Sequence, residues 1–143
     1  MRGLTIIQPW ATLLATGMKH YETRSWATRS LGQIAIHAGR RTKQAEQYAN
    51  DLIAMEPIVF DAIDVEDADD LPYGAIIATG WLTACLPTAG LPVDAMERSF
   101  GDFTPGRFAW RIDRVTRLAV PVPCKGAQGL WDVPTGLLEG AGA

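Results

Sequence analysis

Two different hydrophobic periods follow one another at the start of the chain. Leu4–Ile7 has the apolar pattern of a short strand. Pro9 then separates this strand from a helical period, in which apolar residues recur at Trp10, Leu13, Leu14 and Met18. Gly17 stands where a C-cap belongs. The pattern therefore predicts a strand followed by an amphipathic helix that ends near Thr16.

A second strand and a second helix are predicted after this unit. Over residues 31–39, isoleucines alternate with Ala35 and His37, which predicts a strand with one apolar face. Thr42–Met55 has a helical period with Thr42 as the N-cap; its apolar stripe consists of Ala45, Tyr48, Ala49, Leu52 and Ile53. The acidic segment Asp61–Asp70 lacks the residue pattern of a calcium loop, so we expect a solvated surface segment.

Long strands and turns dominate the second half of the chain. Ala75–Leu86 has the pattern of a buried strand, and Gly80 within it predicts a bulge or a bend. One or two helical turns are predicted over Asp94–Phe100. Further strands are predicted over Arg107–Asp113 and Arg117–Val122, and a last short strand follows a glycine-containing polar loop. Two main helices and bent strands predict a mixed α+β domain around a small β-barrel.

Composition narrows the class of protein further. The chain has 143 residues and shows no internal repeat or linker, so we expect a single domain over residues 1–143. A net charge of −3 argues against binding nucleic acid by bulk electrostatics. Cys85 and Cys124 are too few for a disulfide framework, which predicts reduced, buried thiols. No signal-peptide pattern or membrane-length apolar run occurs, so we expect a soluble cytoplasmic protein without a membrane partner.

The residues with the clearest chemical potential lie just after the first helix. Lys19, Glu22 and Arg24 fall within six residues, and Trp10 and Trp26 bracket them. If the piece is extended, the side chains of Glu22 and Arg24 share one face. Glu22 could alter the pKa of Lys19 as a general base requires, or the two could form an ion pair that fixes the turn. Both interpretations remain open at the level of sequence.

Aromatic and basic side chains supply the other candidates. Each tryptophan could stack on a nucleobase, which is worth ~1–3 kcal/mol, or pack in the core. Arg24 offers a planar fork suited to phosphate or to a base edge. His37 is a candidate polar lining group, and Arg40 and Arg41 follow it in a basic turn. The two histidines and two cysteines do not approach metal-ligand spacing, so neither a metal nor another cofactor is expected.

The stretch from Leu4 to Trp26 resembles the signature of the ASCH domain, a family of small β-barrels in the PUA-like superfamily. The hallmark G-x-K-x-x-E-x-R is matched without a gap by Gly17, Lys19, Glu22 and Arg24. Later strand patterns and the C-terminal loop extend the resemblance over most of the chain. It implies a PUA-like small β-barrel with two main α-helices, and it adds Ser25 and Lys125 to the rim of a cleft beside the motif.

The family resemblance implies a partner that is RNA or another nucleic acid, or a modified nucleoside. Our leading hypothesis is a module that recognises RNA or a modified nucleotide in the motif cleft. Lys19 and Arg24 would hold phosphate or base edges, and Glu22 would orient them. The expected nucleic-acid-binding residues are Trp10, Lys19, Glu22, Arg24, Ser25, Trp26, His37, Arg40, Arg41 and Lys125.

A small hydrolase is the alternative. Some small bacterial members resemble amidohydrolases acting on N4-acetylcytidine, and others have been proposed as ribonucleases. The amidohydrolases use the motif lysine, a threonine three positions later and a distant glutamate. Lys19 matches the lysine, Glu22 occupies the threonine position, and Glu97 is the nearest glutamate by order. An enzyme of this kind would use Lys19 and Glu22 as its catalytic pair, whereas a pure protein-interaction module would need neither.

Overall fold

One curled sheet of six strands organises the molecule. The computed structural model describes residues 1–142. Its strands are β1 (Arg2–Ile6), β2 (Tyr21–Arg24), β3 (Gly32–Ala38), β4 (Ala75–Pro87), β5 (Phe108–Pro123) and β6 (Leu130–Asp132). Its α-helices are α1 (Trp10–Ala15), α2 (Lys43–Met55), α3 (Pro57–Ala62) and α4 (Ala95–Ser99), with a 3-10 turn at Ala68–Asp70.

The strand order is β2-β5-β4-β3-β1-β6. Only the β1–β3 pair is parallel, and the other neighbours are antiparallel. The sheet curls into a half-barrel, which confirms the predicted α+β class and PUA-like barrel. The main core joins α1 to β1, β3, β4 and β5, with large buried residues such as Leu14, Ile36 and Trp110.

Both ends of α1 follow the sequence pattern. The fully buried Gln8 side chain replaces a conventional cap, since its Oε1 accepts from the Thr12 amide at 3.0 Å. Its Nε2 donates to the Pro72 carbonyl at 2.8 Å and so ties the helix start to a remote turn. Gly17 adopts a φ of +77°, which glycine tolerates without strain. As predicted, the helix ends with Thr16 as its C-cap.

The bulge predicted at Gly80 is present. Thr79 pairs with Thr116 and Trp81 with Asp113, so two residues of β5, Arg114 and Val115, face Gly80 alone. A Cβ on Gly80 would lie 3.2 Å from a methyl carbon of Val115, so glycine leaves the room that the extra residue needs.

Several expectations need correction. β3 was expected to have one apolar face, but residues 34–38 are all buried, because α1 covers one side and the C-terminal segment packs on the other. The two predicted strands within 107–122 form one continuous strand, β5. Helix α3 was not predicted. Cys85 and Cys124 are free thiols, but both are half-buried rather than buried.

The acidic segment over residues 61–70 lies at the surface and is anchored by apolar side chains. The acidic side chains of residues 61–70 are exposed, as predicted, while Val65 and Ala68 anchor the segment in a second core with Phe60. Within residues 1–142, no helix has the length and apolar character needed to cross a membrane.

Candidate functional site

The motif segment, residues 17–24, contributes walls to two clefts. The first, which we call the motif cleft, has a volume of about 370 Å³ and is lined by Ile6, Ile7, Trp10, Glu22, Thr23 and residues 99–102. The second, which we call the arginine cleft, has a volume of about 580 Å³ and is lined by residues 15–17, Lys19, His20, residues 111–115 and Arg117. The segment therefore presents different side chains to two spaces.

Lys19 is buried within the structure, with only 2% of its surface exposed. Its Nζ donates to the carbonyl oxygen of Phe100 at 3.0 Å, and Phe100 lines the motif cleft. Burial lowers the pKa of Lys19 below 10.5, and the charges of Glu22 and Glu97 act in the opposite direction. The ammonium group thus supports the cleft wall from behind.

Glu97 is the second carboxylate whose charge acts on Lys19. It is 5% exposed and lies on α4, whose N-cap Asp94 accepts the Glu97 amide at 2.8 Å. Its Oε1 accepts from the amide of His20 at 2.8 Å and its Oε2 from the amide of Tyr21 at 3.3 Å. Glu97 therefore fastens the motif segment to α4. Its order in the chain was the only sequence signal for it.

Glu22 and Arg24 pair directly, which confirms that their side chains share a face of an extended segment. Glu22 Oε2 accepts from Arg24 Nε at 3.1 Å and from Nη2 at 2.9 Å. Arg24 Nη2 also donates to the carbonyl of Thr5 at 2.9 Å, so the arginine links β2 across to β1. The pair is mostly buried. Arg24 donates hydrogen bonds to Glu22 and Thr5 and lines neither cleft.

The two motif tryptophans have different surroundings. Trp10 is half-buried, lines the motif cleft and packs edge-on against Tyr48 at 5.2 Å. Trp26 lies outside the lining of both clefts and is 37% exposed. It packs edge-on against the buried Trp110 at 4.6 Å, and its carbonyl accepts from Trp110 Nε1 at 3.3 Å.

His37 is held in a closed hydrogen-bond chain. Its Nε2 lies 2.8 Å from the carbonyl of Cys124, which requires Nε2 to donate, and its Nδ1 lies 3.1 Å from Thr5 Oγ1. Trp131 Nε1 donates to the same hydroxyl at 3.1 Å, so one hydroxyl connects the histidine and tryptophan rings. A Cβ on Gly126 would lie 2.4 Å from Thr5 Oγ1. His37 is 2% exposed and lines neither cleft.

The remaining predicted residues lie apart from the motif cleft. Arg41 binds Glu46 at 2.6 Å and also binds Asp69, so two carboxylates hold it. Arg40 is exposed beside it, and neither arginine lines a cleft of the motif segment. Two further predicted binding residues, Ser25 and Lys125, are exposed and lie outside both cleft linings. Of the ten predicted binding residues, only Trp10 and Glu22 line the motif cleft itself.

The far wall of the motif cleft was not predicted from the sequence. Residues 99–102 reach it from the end of α4, and the Thr23 hydroxyl accepts from the Asp102 amide at 3.1 Å. Nothing in the local pattern of residues 99–102 indicates that they meet β2. Within residues 1–142, no cluster of histidine, cysteine and acidic side chains could hold a metal ion.

The buried lysine predicts a pH dependence of stability. In the unfolded chain Lys19 titrates near 10.5, whereas burial lowers its pKa in the native state. Between these two pKa values the unfolded state binds more protons than the native state. The contribution of Lys19 to the free energy of unfolding therefore increases as pH rises through that window. We expect Lys19→Met to remove this gain. Urea unfolding of both proteins from neutral pH to alkaline pH measures it, and parallel curves would contradict the prediction.

The fold and the motif cleft define a small PUA-like β-barrel domain. The model of the ASCH domain matches residues 4–86, more than half of the chain. The protein therefore belongs to the ASCH domain family, whose members are generally RNA-binding.

Two relatives match almost the whole length of this chain. The chain is 29% identical over 138 residues to Activating signal cointegrator 1 of Homo sapiens and 29% identical over 142 residues to the Mus musculus protein of that name. Each match covers 96% of this chain and 23% of the relative, so the chain spans about a quarter of the length of these relatives.

Among solved structures, the fold is similar to crystallised ASCH from Zymomonas mobilis, with a TM-score of 0.55 at 12% identity over 96% of this chain and 90% of that one. A mutant form of the same bacterial protein gives a TM-score of 0.55 at 12% identity over 96% of this chain and 93% of that one. At this identity the similarity concerns the fold alone.

Proposed function

We propose that the protein is a single ASCH domain over residues 1–143 that binds single-stranded or modified RNA, with one base in the motif cleft. The observation that carries the proposal is the chemistry of this cleft. Its volume of about 370 Å³ falls within the roughly 300–1,000 Å³ of small-ligand sites. Trp10 supplies an aromatic edge, and Glu22, Thr23 and Asp102 supply polar groups.

The polar groups of the cleft favour a base that carries an amino group. Glu22 and Asp102 are hydrogen-bond acceptors, and carboxylates accept from the exocyclic amino group of cytosine in nucleic-acid complexes. The cleft lining contains no basic side chain that could donate hydrogen bonds to a phosphate. Arg24 and Lys19 act as positioning residues: the former orients Glu22, and the latter holds the carbonyl of Phe100.

A hydrolase acting on an acylated nucleoside or on RNA is the second candidate. The observation that favours it is a buried lysine of lowered pKa with two carboxylates nearby, Glu22 and Glu97. Burial that lowers the pKa of a lysine brings it closer to the neutral form that a general base requires. The reaction class would be hydrolysis of an amide or a phosphodiester, with Lys19 and Glu22 as the pair that moves the proton.

Binding and turnover can be measured together. We would titrate cytidine, N4-acetylcytidine and a short single-stranded RNA into wild type, Trp10→Leu and Glu22→Gln, and analyse each mixture for products by mass spectrometry. Loss of the aromatic contact should weaken RNA binding by ~1–3 kcal/mol, and Glu22→Gln should weaken binding of amino-bearing bases most. Glu66→Gln, which removes an exposed carboxylate outside the cleft, serves as the matched control.

The outcomes separate the two candidates. Binding that falls in both cleft variants without any product supports the RNA-binding module. A deacylated or cleaved product that disappears in Lys19→Gln while substrate still binds supports the hydrolase. RNA affinity that is unchanged in both Trp10→Leu and Glu22→Gln would refute a base site in the motif cleft.

A further inference from the structure

Three arginines of one strand line the arginine cleft. Arg111, Arg114 and Arg117 all come from β5, and the motif segment adds Lys19 and His20. Asp113 is the one acidic residue among those that line this cleft. Cationic side chains therefore outnumber anionic ones here, although the whole chain has a net charge of −3.

The single carboxylate of this cleft is already engaged. Asp113 accepts from the Thr83 hydroxyl and from Arg111 Nε at 2.8 Å, and these two contacts lower the pKa of Asp113. The positive charge of Arg111 is thereby paired with the negative charge of Asp113. Within the part of the chain that the structure describes, Arg114 and Arg117 have no carboxylate at ion-pair distance. Both are exposed, so two positive charges remain available to a ligand.

The backbone of β5 is distorted at one of these arginines. Arg114 is an extra residue in the bulge opposite Gly80 and has a φ of +50°, a conformation that glycine adopts far more readily. A bulge re-aims its side chains, and bulges are frequent beside functional sites. Arg114 lies over the Trp81 ring, with its guanidinium carbon 4.8 Å from the ring centroid. The guanidinium group of Arg114 thus contacts an aromatic ring rather than a carboxylate.

The two clefts differ in the charges that remain unpaired. Glu22 and Asp102 line the motif cleft and pair with Arg24 and Arg107, whereas Arg114 and Arg117 line the other cleft and have no such partner within the described residues. The motif segment joins them, because His20 lines the arginine cleft and Thr23 the motif cleft. These residues are three positions apart, so their Cα atoms lie at most ~11 Å from each other. The linings of the two clefts therefore approach each other at the motif segment.

We propose that the arginine cleft binds a phosphate group of the RNA strand whose base occupies the motif cleft. The inference rests on the proposed function and adds to it the site that holds the backbone. Guanidinium groups donate two parallel hydrogen bonds to phosphate oxygens, which a lysine cannot reproduce. An internal phosphodiester and a 5′-terminal phosphate both present the anionic oxygens that such a site recognises.

The test compares variants of each cleft on the same RNA. We would measure fluorescence anisotropy of a short single-stranded RNA, with and without a 5′-phosphate, as a function of salt. Arg114→Gly and Arg117→Gln should each weaken binding by about tenfold and reduce the salt slope by about 0.7. Arg114→Gly suits the left-handed backbone, so its melting temperature should not fall. Arg2→Gln, at an exposed arginine outside both clefts, is the matched control.

Each outcome has a distinct meaning. Loss confined to the 5′-phosphorylated RNA assigns the terminal phosphate, and equal loss on both RNAs assigns an internal phosphodiester; either supports the inference. Affinity and salt slope that match those of Arg2→Gln would overturn it. If Trp10→Leu weakens binding while the arginine variants do not, the phosphate site alone fails. If the arginine variants weaken binding while Trp10→Leu and Glu22→Gln do not, only the base site fails.

Discussion

Glu97→Ala is expected to lower the free energy of unfolding by about 3–6 kcal/mol, because it removes two hydrogen bonds to a charged group at roughly 1.5–3 kcal/mol each. Glu97 is 5% exposed, and its carboxylate accepts the amides of His20 and Tyr21. Truncation would leave both amides without their acceptor and would remove one of the two carboxylates near the Lys19 ammonium. Urea unfolding measures the loss.

Two comparisons make this prediction specific. Glu66→Ala removes an exposed glutamate of the surface segment, and surface changes of this kind usually stay within ±0.5 kcal/mol. A double variant, Lys19→Met with Glu97→Gln, removes both charges and should lose less stability than the sum of the two single variants. A Glu97→Ala protein as stable as Glu66→Ala would show that the network contributes little.

Trp110→Ala should have an effect of similar size, about 3–5 kcal/mol, because it deletes a fully buried indole from the main core. Trp110 packs with α1 and its neighbouring strands, and its ring supports Trp26 at 4.6 Å. Removing it would leave a cavity beneath the end of the motif segment. The change in the urea midpoint, with an unchanged slope, reports this loss.

The indole of Trp110 contributes in two separable ways. Trp110→Phe keeps an aromatic ring but loses the hydrogen bond from Nε1 to the Trp26 carbonyl, a contribution of roughly 0.5–1.5 kcal/mol. Trp81→Ala truncates a tryptophan that is 38% exposed and should cost less than the core variant. Equal losses in Trp81→Ala and Trp110→Ala would contradict the burial argument.

Features that depend on neighbouring residues were predictable from sequence. The end of α1 followed from one glycine and a helical period, and the bulge followed from Gly80 inside an apolar strand. The pairing of Glu22 with Arg24 followed from their alternate positions. In each case the physical cause lies within a few residues of the feature. The hydrophobic period and the backbone freedom of glycine can be recognised in such a short stretch of sequence.

Features that depend on remote packing were not predictable in the same way. β3 alternates large and small or polar residues, yet it is covered on both sides, because Ala35 and His37 fit beneath the C-terminal segment. The motif cleft is completed by residues 99–102, which the chain reaches only through α4. Lys19 donates to Phe100 for the same reason. Only the fold brings these groups together, so the local pattern of the motif could not identify them.

The outer strands of the sheet have a further consequence for behaviour in concentrated solution. β2 has four residues and β6 has three, and these two strands form the sheet edges. Long, flat, exposed edges recruit strands from other molecules and seed aggregation, whereas short edges with charged side chains resist it. On β6 the exposed Asp132 adds charge, and on β2 the Glu22–Arg24 pair is bonded within the protein. Both edges are therefore short and poorly suited to recruit a strand from another molecule.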